Sequence, residues 1–209
     1  MESLLVFGDS NTWGLVPGSS PYKRYPFEIR WTGLLQDKLD NIRVLEEGLC
    51  GRTTVYEDSL RAGRKGTNAL LSILESQYPV DMAIIMLGTN DCKKSYRATP
   101  LDIGAGIEQC LDALELYIKK ENILLISPIL LGDNVWKPEK DPEFDQESVQ
   151  VSKKLKEIYE AIAQKRGIQF LAASDYVSAD EADDEHLNEE GHCLFANVVF
   201  DKLKLMNLV

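Results

Sequence analysis

The feature that most constrains this chain is an alternation between two hydrophobic periods. Five short aliphatic runs, Leu4 to Phe7, Arg43 to Glu46, Met82 to Leu87, Ile123 to Ile126 and Ile168 to Leu171, have strand length and are bounded by Gly, Asp, Asn or Pro. Between them the spacing turns helical. Trp31, Leu34, Leu35, Lys38 and Leu39 form one stripe, and Ala69, Leu70, Ile73 and Leu74 form another. Thr99, Pro100 and Asp102 open a third helix as N-cap, first position and early acid. Ile107, Cys110, Leu111, Leu114 and Ile118 are its buried face. A fourth helix is predicted from Glu147 to Lys165, with Val151, Leu155, Ile158, Tyr159 and Ile162 on one side. A fifth runs from Glu189 to about Met206 behind Asn188, with two acidic residues in its first turn to suit the helix dipole.

Strands alternating with helices of this length imply right-handed βαβ units, and hence an α/β fold with a parallel sheet buried on both faces. In such sheets the reactive groups collect in loops at the carboxyl ends of the strands. The 209 residues contain no Ser/Gly/Pro-rich linker, so one domain spanning 1–209 is expected. Residues 128–145 are the longest irregular connection, with Trp136 in the middle.

The net charge of −11 argues against a nucleic-acid or anionic-membrane partner, since both need clustered Lys and Arg. The first residues lack the basic flank and length of a signal peptide, and no apolar run approaches a membrane span. Cys50, Cys92, Cys110 and Cys193 form no Cys-x-x-Cys pair. Reduced thiols in a cytoplasmic protein account for them most simply.

Three post-strand loops carry unusual polar residues: Gly8-Asp9-Ser10-Asn11, Gly48-Leu49-Cys50-Gly51-Arg52 and Gly88-Thr89-Asn90-Asp91. Near the C-terminus, Asp183 and His186 lie three apart in Asp-Asp-Glu-His. A serine, an asparagine, a glycine and an Asp/His pair are the parts needed for acyl transfer: a nucleophile, oxyanion donors, and a base held by a carboxylate. Taken alone, Gly-Asp-Ser-Asn is only a turn. Its meaning comes from the other blocks.

Those four blocks, GDSN, GLCGRT, GTND and DDEH, resemble the SGNH (GDSL-type) hydrolase superfamily in order and spacing. The further stretches TWG at 12–14, RWTG at 30–33, EEGLCGRTT at 46–54, IIMLGTND at 84–91 and TPLDI at 99–103 are similar to its arylesterase and acyltransferase branch. The resemblance implies a three-layer α/β/α, flavodoxin-like fold with strand order 2-1-3-4-5. It implies a serine esterase acting on short-chain, chiefly acetyl, esters, able to pass the acyl group to water or an alcohol without a cofactor or metal. It assigns Ser10 as nucleophile, His186 as base and Asp183 as its partner, with the Ser10 and Gly51 N–H groups and the Asn90 amide as oxyanion hole. Family members often form homo-oligomers, for which the 128–145 loop is the candidate contact. The chain order and the absence of Gly-x-Ser-x-Gly argue separately against an α/β-hydrolase elbow.

Asp9, Asn11, Trp13, Arg52 and Trp136 are candidate pocket residues, and Leu15 with Ser19 to Tyr25 falls where related enzymes shape their pockets. Arg52 either pairs with a carboxylate beneath the site or is solvated. Trp136 caps the pocket, fills an interface or lies exposed. Asp184 is the competing partner for His186, although Asp183 has the family spacing. A zinc site of His186, His192, Cys193 and Asp183 fits no metal motif and leaves Ser10 and Asn90 unexplained. Cys50 and Cys92 read as packing residues rather than nucleophiles. Two alternatives remain: an acetylesterase for carbohydrates, and a non-catalytic flavodoxin-like domain binding FMN.

Overall fold

The computed structural model describes residues 1–209. Strands β1 (Glu2–Gly8), β2 (Ile42–Gly48), β3 (Met82–Met86), β4 (Ile123–Ser127) and β5 (Gln169–Ala172) form one parallel sheet in the order 2-1-3-4-5. Helices α1 (Ser10–Trp13), α2 (Trp31–Gln36), α3 (Gly66–Ser76), α4 (Pro100–Glu115), α5 (Gln146–Ser152), α6 (Leu155–Arg166) and α7 (Glu189–Leu205) complete the layers. No helix is long and apolar enough to cross a membrane.

Period-2 alternation divides the core. Leu4, Val6, Ile84, Leu124 and Ile126 face Trp31 and Leu35 of α2 and Phe195, Val199 and Leu203 of α7. Leu5, Phe7, Ile85, Ile123 and Leu125 face the other way, onto Leu70 and Leu74 of α3, Ile107 and Leu111 of α4, and Leu155 and Tyr159 of α6. Each buried aliphatic side chain stabilises the fold by roughly 2 kcal/mol. That is why neither face tolerates a polar run. At α4 the Thr99 hydroxyl accepts from the Asp102 N–H and the Asp102 carboxylate accepts from the Thr99 N–H, a complete capping box.

Three helices are shorter than their stripes predict, and α4 ends at Glu115, short of Ile118, which is buried all the same. Helix α2 ends at Gln36, where the side-chain amide bonds both the Ile42 carbonyl (2.9 Å) and the Val44 N–H (2.8 Å) of the edge strand β2. Leu39 still reaches the core through tight turns, while Lys38 is exposed. The helix expected over Glu147–Lys165 is two helices separated at Lys153–Lys154. The Ser152 hydroxyl donates to the Val149 carbonyl (2.8 Å) and the Lys154 N–H to Val151, tightening the turn. A serine bonding back onto its own helix bends it.

Candidate active site

All five strands end on the same edge, and the loops that leave it build one cleft. After β1 the chain must turn within van der Waals contact of α1. A Cβ on Gly8 would lie 2.1 Å from the Thr12 hydroxyl oxygen, so only glycine fits. Asp9 then caps α1, accepting from the Asn11 N–H at 3.0 Å, and Ser10 becomes the helix's first residue. Its N–H has no intrahelical acceptor at that position.

After β5, the Asp183 carboxylate folds the chain back on itself. Its Oδ1 accepts from the N–H groups of Glu185 (2.9 Å) and His186 (3.0 Å), leaving Oδ2 for His186 Nδ1 at 2.8 Å and for the Gly18 N–H at 2.8 Å. His186 Nε2 then lies 2.8 Å from Ser10 Oγ. Asn11 holds this arrangement across the fold: its amide donates to the Glu185 carbonyl (3.1 Å) and accepts from the Leu187 N–H (2.9 Å).

Electrostatics follow from that packing. Burial pushes the Asp183 carboxyl up, but its bonds to His186 and the backbone N–H groups more than offset this and bring it down to about 2. Burial alone would lower His186. The neighbouring Glu185 and Asp183 carboxylates overcome that and raise it to about 9.

The loops after β2 and β3 meet opposite Ser10. Gly51 sits at φ +80°, a left-handed conformation natural to glycine, with the Arg61 guanidinium already close to where a Cβ would project. The Asn90 amide donates to the Arg52 carbonyl at 3.2 Å, so the two loops are tied together beside the serine. Asp91 reinforces the tie, accepting from the Thr54 N–H at 3.0 Å and from its hydroxyl. Burial pushes the Asp91 carboxyl up to about 6.

Ser10, Gly51, Asn90 and His186 line one small recess together with Leu15, Tyr22, Cys50, Arg61, Lys93, Asp141 and Glu185. Its free volume is about 20 Å³. It opens into a cleft of about 530 Å³ bordered by Gly18, Ser19, Ser20, Glu139, Lys140 and Glu143. The 15–22 segment therefore does border the site.

Five candidate pocket residues stand elsewhere. Asp9 and Asn11 are buried behind Ser10 as cap and clamp. Arg52 neither meets a carboxylate nor is solvated: it bonds the Gly8 carbonyl (2.9 Å) and the Glu47 carbonyl and lies 4.1 Å over the Phe7 ring. Burial lowers its pKa to about 10. The Trp13 ring lies beneath the Arg24 guanidinium, and the Trp136 indole donates to the Asp133 carbonyl and packs against the core. Asp184 turns away, pairing with Lys140 at 2.7 Å.

His192 Nδ1 accepts from the Trp31 N–H (3.3 Å) and burial lowers its pKa to about 4, while Cys193 is exposed. No three His, Cys, Asp or Glu side chains converge to hold a metal ion. Cys50 borders the recess, but burial pushes its thiol up to about 11. Tyr22 falls within the Ser19 to Tyr25 stretch read as pocket-shaping, whereas the cleft residues Arg61, Lys93, Asp141 and Glu185 were not legible as site residues. Glu185 alone carried a signal, being adjacent to His186.

A family model for the GDSL-like lipase/acylhydrolase family matches residues 6–194. Among solved structures, Est24, a carbohydrate acetylesterase from Sinorhizobium meliloti, is 34% identical, with a TM-score of 0.89 over 99% of this chain and 100% of its own. The aryl esterase of M. smegmatis is 30% identical at a TM-score of 0.89, again over 99% and 100%. The lipase/acylhydrolase from Enterococcus faecalis, at 18% identity and a TM-score of 0.69 over 98% and 96%, shares the fold. No curated protein matches the sequence. The chain thus belongs to the GDSL-like lipase/acylhydrolase family and is a carboxylic ester hydrolase of the SGNH type.

Proposed function

We propose that this enzyme cleaves short-chain, chiefly acetyl, esters through an acyl-enzyme on Ser10. The observation that carries the reading is the relay of two 2.8 Å contacts from Ser10 Oγ through His186 to Asp183. In this reading His186 Nε2 takes the hydroxyl proton as Ser10 Oγ attacks the ester carbonyl. Asp183 holds the imidazole in the tautomer with Nε2 free and stabilises the imidazolium. The oxyanion collects bonds from the Ser10 and Gly51 N–H groups and from Asn90, each worth roughly 3 kcal/mol in the transition state. His186 returns its proton to the departing alkoxide. Water, or a second alcohol, repeats the sequence on the acyl-enzyme.

Recess size supports a short acyl group. A volume of about 20 Å³ is near that which one water needs, so it suits the methyl of an acetyl and not an alkyl chain. The alcohol portion is left the wider cleft, whose border of Ser19, Ser20, Glu139, Lys140, Asp141 and Glu143 favours hydroxylated groups. That polarity, with the similarity to Est24, supports acetylated carbohydrates as a second reading.

The test is hydrolysis of p-nitrophenyl esters with two to twelve acyl carbons by wild type and Ser10→Ala. The variant is expected to lose at least a thousandfold in kcat, and the wild type to prefer two carbons. Undiminished turnover by the variant removes Ser10 from its role, and preference for long chains removes the acetyl assignment.

A further inference from the structure

Glu185 is a buried carboxylate in the catalytic recess that the relay does not use. Its backbone is fixed on both sides, the N–H by Asp183 Oδ1 and the carbonyl by the Asn11 amide, so the side chain is committed to the recess. The residue is only 5% exposed. Its carboxylate makes no hydrogen bond within the protein. Oε1 approaches His186 Nε2 at 3.7 Å, beyond hydrogen-bond length. Burial pushes the carboxyl up to about 7, as expected of a charge short of partners. A buried carboxylate without donors is costly, and one at the junction of recess and cleft is placed to take a donor from the ligand.

The identity of that donor follows from the chemistry at Nε2. The departing alkoxide oxygen must come within hydrogen-bond reach of Nε2 to receive its proton. The first atoms of the alcohol therefore lie beside Glu185. A hydroxyl on the carbon next to the ester-bearing carbon is the closest donor an alcohol can offer there. The recess holds two carboxylates, Asp141 and Glu185, against Arg61, Lys93 and, when protonated, His186, a balance that favours a neutral polar group over a cationic one.

We infer that Glu185 determines specificity by accepting a hydrogen bond from a hydroxyl vicinal to the ester, which makes monoacyl esters of vicinal diols and polyols the preferred substrates. This rests on the esterase reading above. A site built to bond a substrate hydroxyl discriminates strongly against an analogue without it, because the protein group is then left unpaired.

The experiment compares kcat/KM for 2-hydroxyethyl acetate and 2-methoxyethyl acetate in wild type, Glu185→Gln and Glu185→Leu, with 2-(trimethylammonio)ethyl acetate as the cationic analogue. Taking the ratio within each enzyme at one pH cancels changes in His186 basicity common to both esters. The wild type is expected to prefer the hydroxyl ester by about tenfold or more. The ratio should fall towards one in Glu185→Leu and lie between in Glu185→Gln, which keeps an acceptor. A wild-type ratio near one overturns the proposal without any variant, as does the same preference in Glu185→Leu or Glu185→Gln as in wild type. A preference for the cationic ester that is lost in Glu185→Leu overturns it in favour of a cation site. Each of these leaves Ser10-dependent hydrolysis of p-nitrophenyl acetate standing. Failure of the esterase reading is distinct: Ser10→Ala would then hydrolyse that ester as fast as wild type.

Discussion

Asp183 and Asp184 are neighbours in sequence with different partners, since one carboxylate meets His186 and the other meets Lys140 and the Asn134 N–H. Asp183→Asn should lower kcat by about four orders of magnitude, because an amide at Nδ1 no longer enforces the productive tautomer. Asp184→Asn should stay within a few-fold, and steady-state kinetics on p-nitrophenyl acetate separates the two. The pH profile is a second residue-level test. In the proposed mechanism His186 must be neutral to act as base, and its neighbours raise it to about 9, so kcat/KM should climb with pH until about 9 rather than level off near 7. Glu185→Gln removes one of those carboxylates and should move the acid limb to lower pH. The relay was legible because Asp-x-x-His spacing is local and an Asx-type turn realises it directly. The positions of Asp9, Asn11, Arg52, Trp13 and Trp136, assigned to the pocket, were not. Which way a side chain leaves a loop is decided by partners far off in sequence, such as the Gly8 carbonyl that takes Arg52 from 44 positions away.

At the level of elements, the sheet was readable because both faces of every central strand are buried, leaving period-2 aliphatic runs that nothing else in the chain imitates. Helix ends were less so. The Ser152 back-bond and the grip of Gln36 on β2 are polar contacts that a hydrophobic stripe does not report. The join between α1 and the loop before α7 is the most consequential contact of this kind. Asn11→Ala removes both bonds from its amide to that loop and leaves a buried N–H and carbonyl without partners. We expect a loss of about 1–3 kcal/mol in denaturant stability. Activity should fall by at least tenfold beyond the change in folded fraction, since His186 is then less firmly aimed at Ser10.

Over the whole molecule, buried carboxylates and surplus negative charge act in the same direction. Burial raises Asp9 and Asp91 to about 6 and Glu185 to about 7, so the native state holds these protons at pH values where the unfolded chain has released them. Their contribution therefore declines as pH rises from about 4 to 7. His186, raised to about 9, contributes stability below its unfolded value that is lost as pH climbs through 9. Asp183, held near 2, acts oppositely, losing its contribution as pH falls from about 4 to 2. His192, lowered to about 4, also opposes the carboxylates by losing its contribution as pH falls from about 6.5 to 4, but it is one group against three, so the thermal midpoint is expected to peak near pH 4 and to decline towards pH 8. There, added salt should raise it by screening the net charge of −11; calorimetry in low and half-molar NaCl checks both, and a midpoint that rises from pH 5 to 8 contradicts the account. The separation of 176 positions between Ser10 and His186 has a consequence for synthesis. A ribosome makes the proposed nucleophile 176 positions ahead of its base, and β1, which leads into the serine, must be flanked by both β2 and β3 inside the sheet. In the proposed mechanism a growing chain is therefore chemically silent until the loop that carries His186 has emerged. A copy that stops short of that loop would lack its base, so the first turnover would report that translation has passed His186.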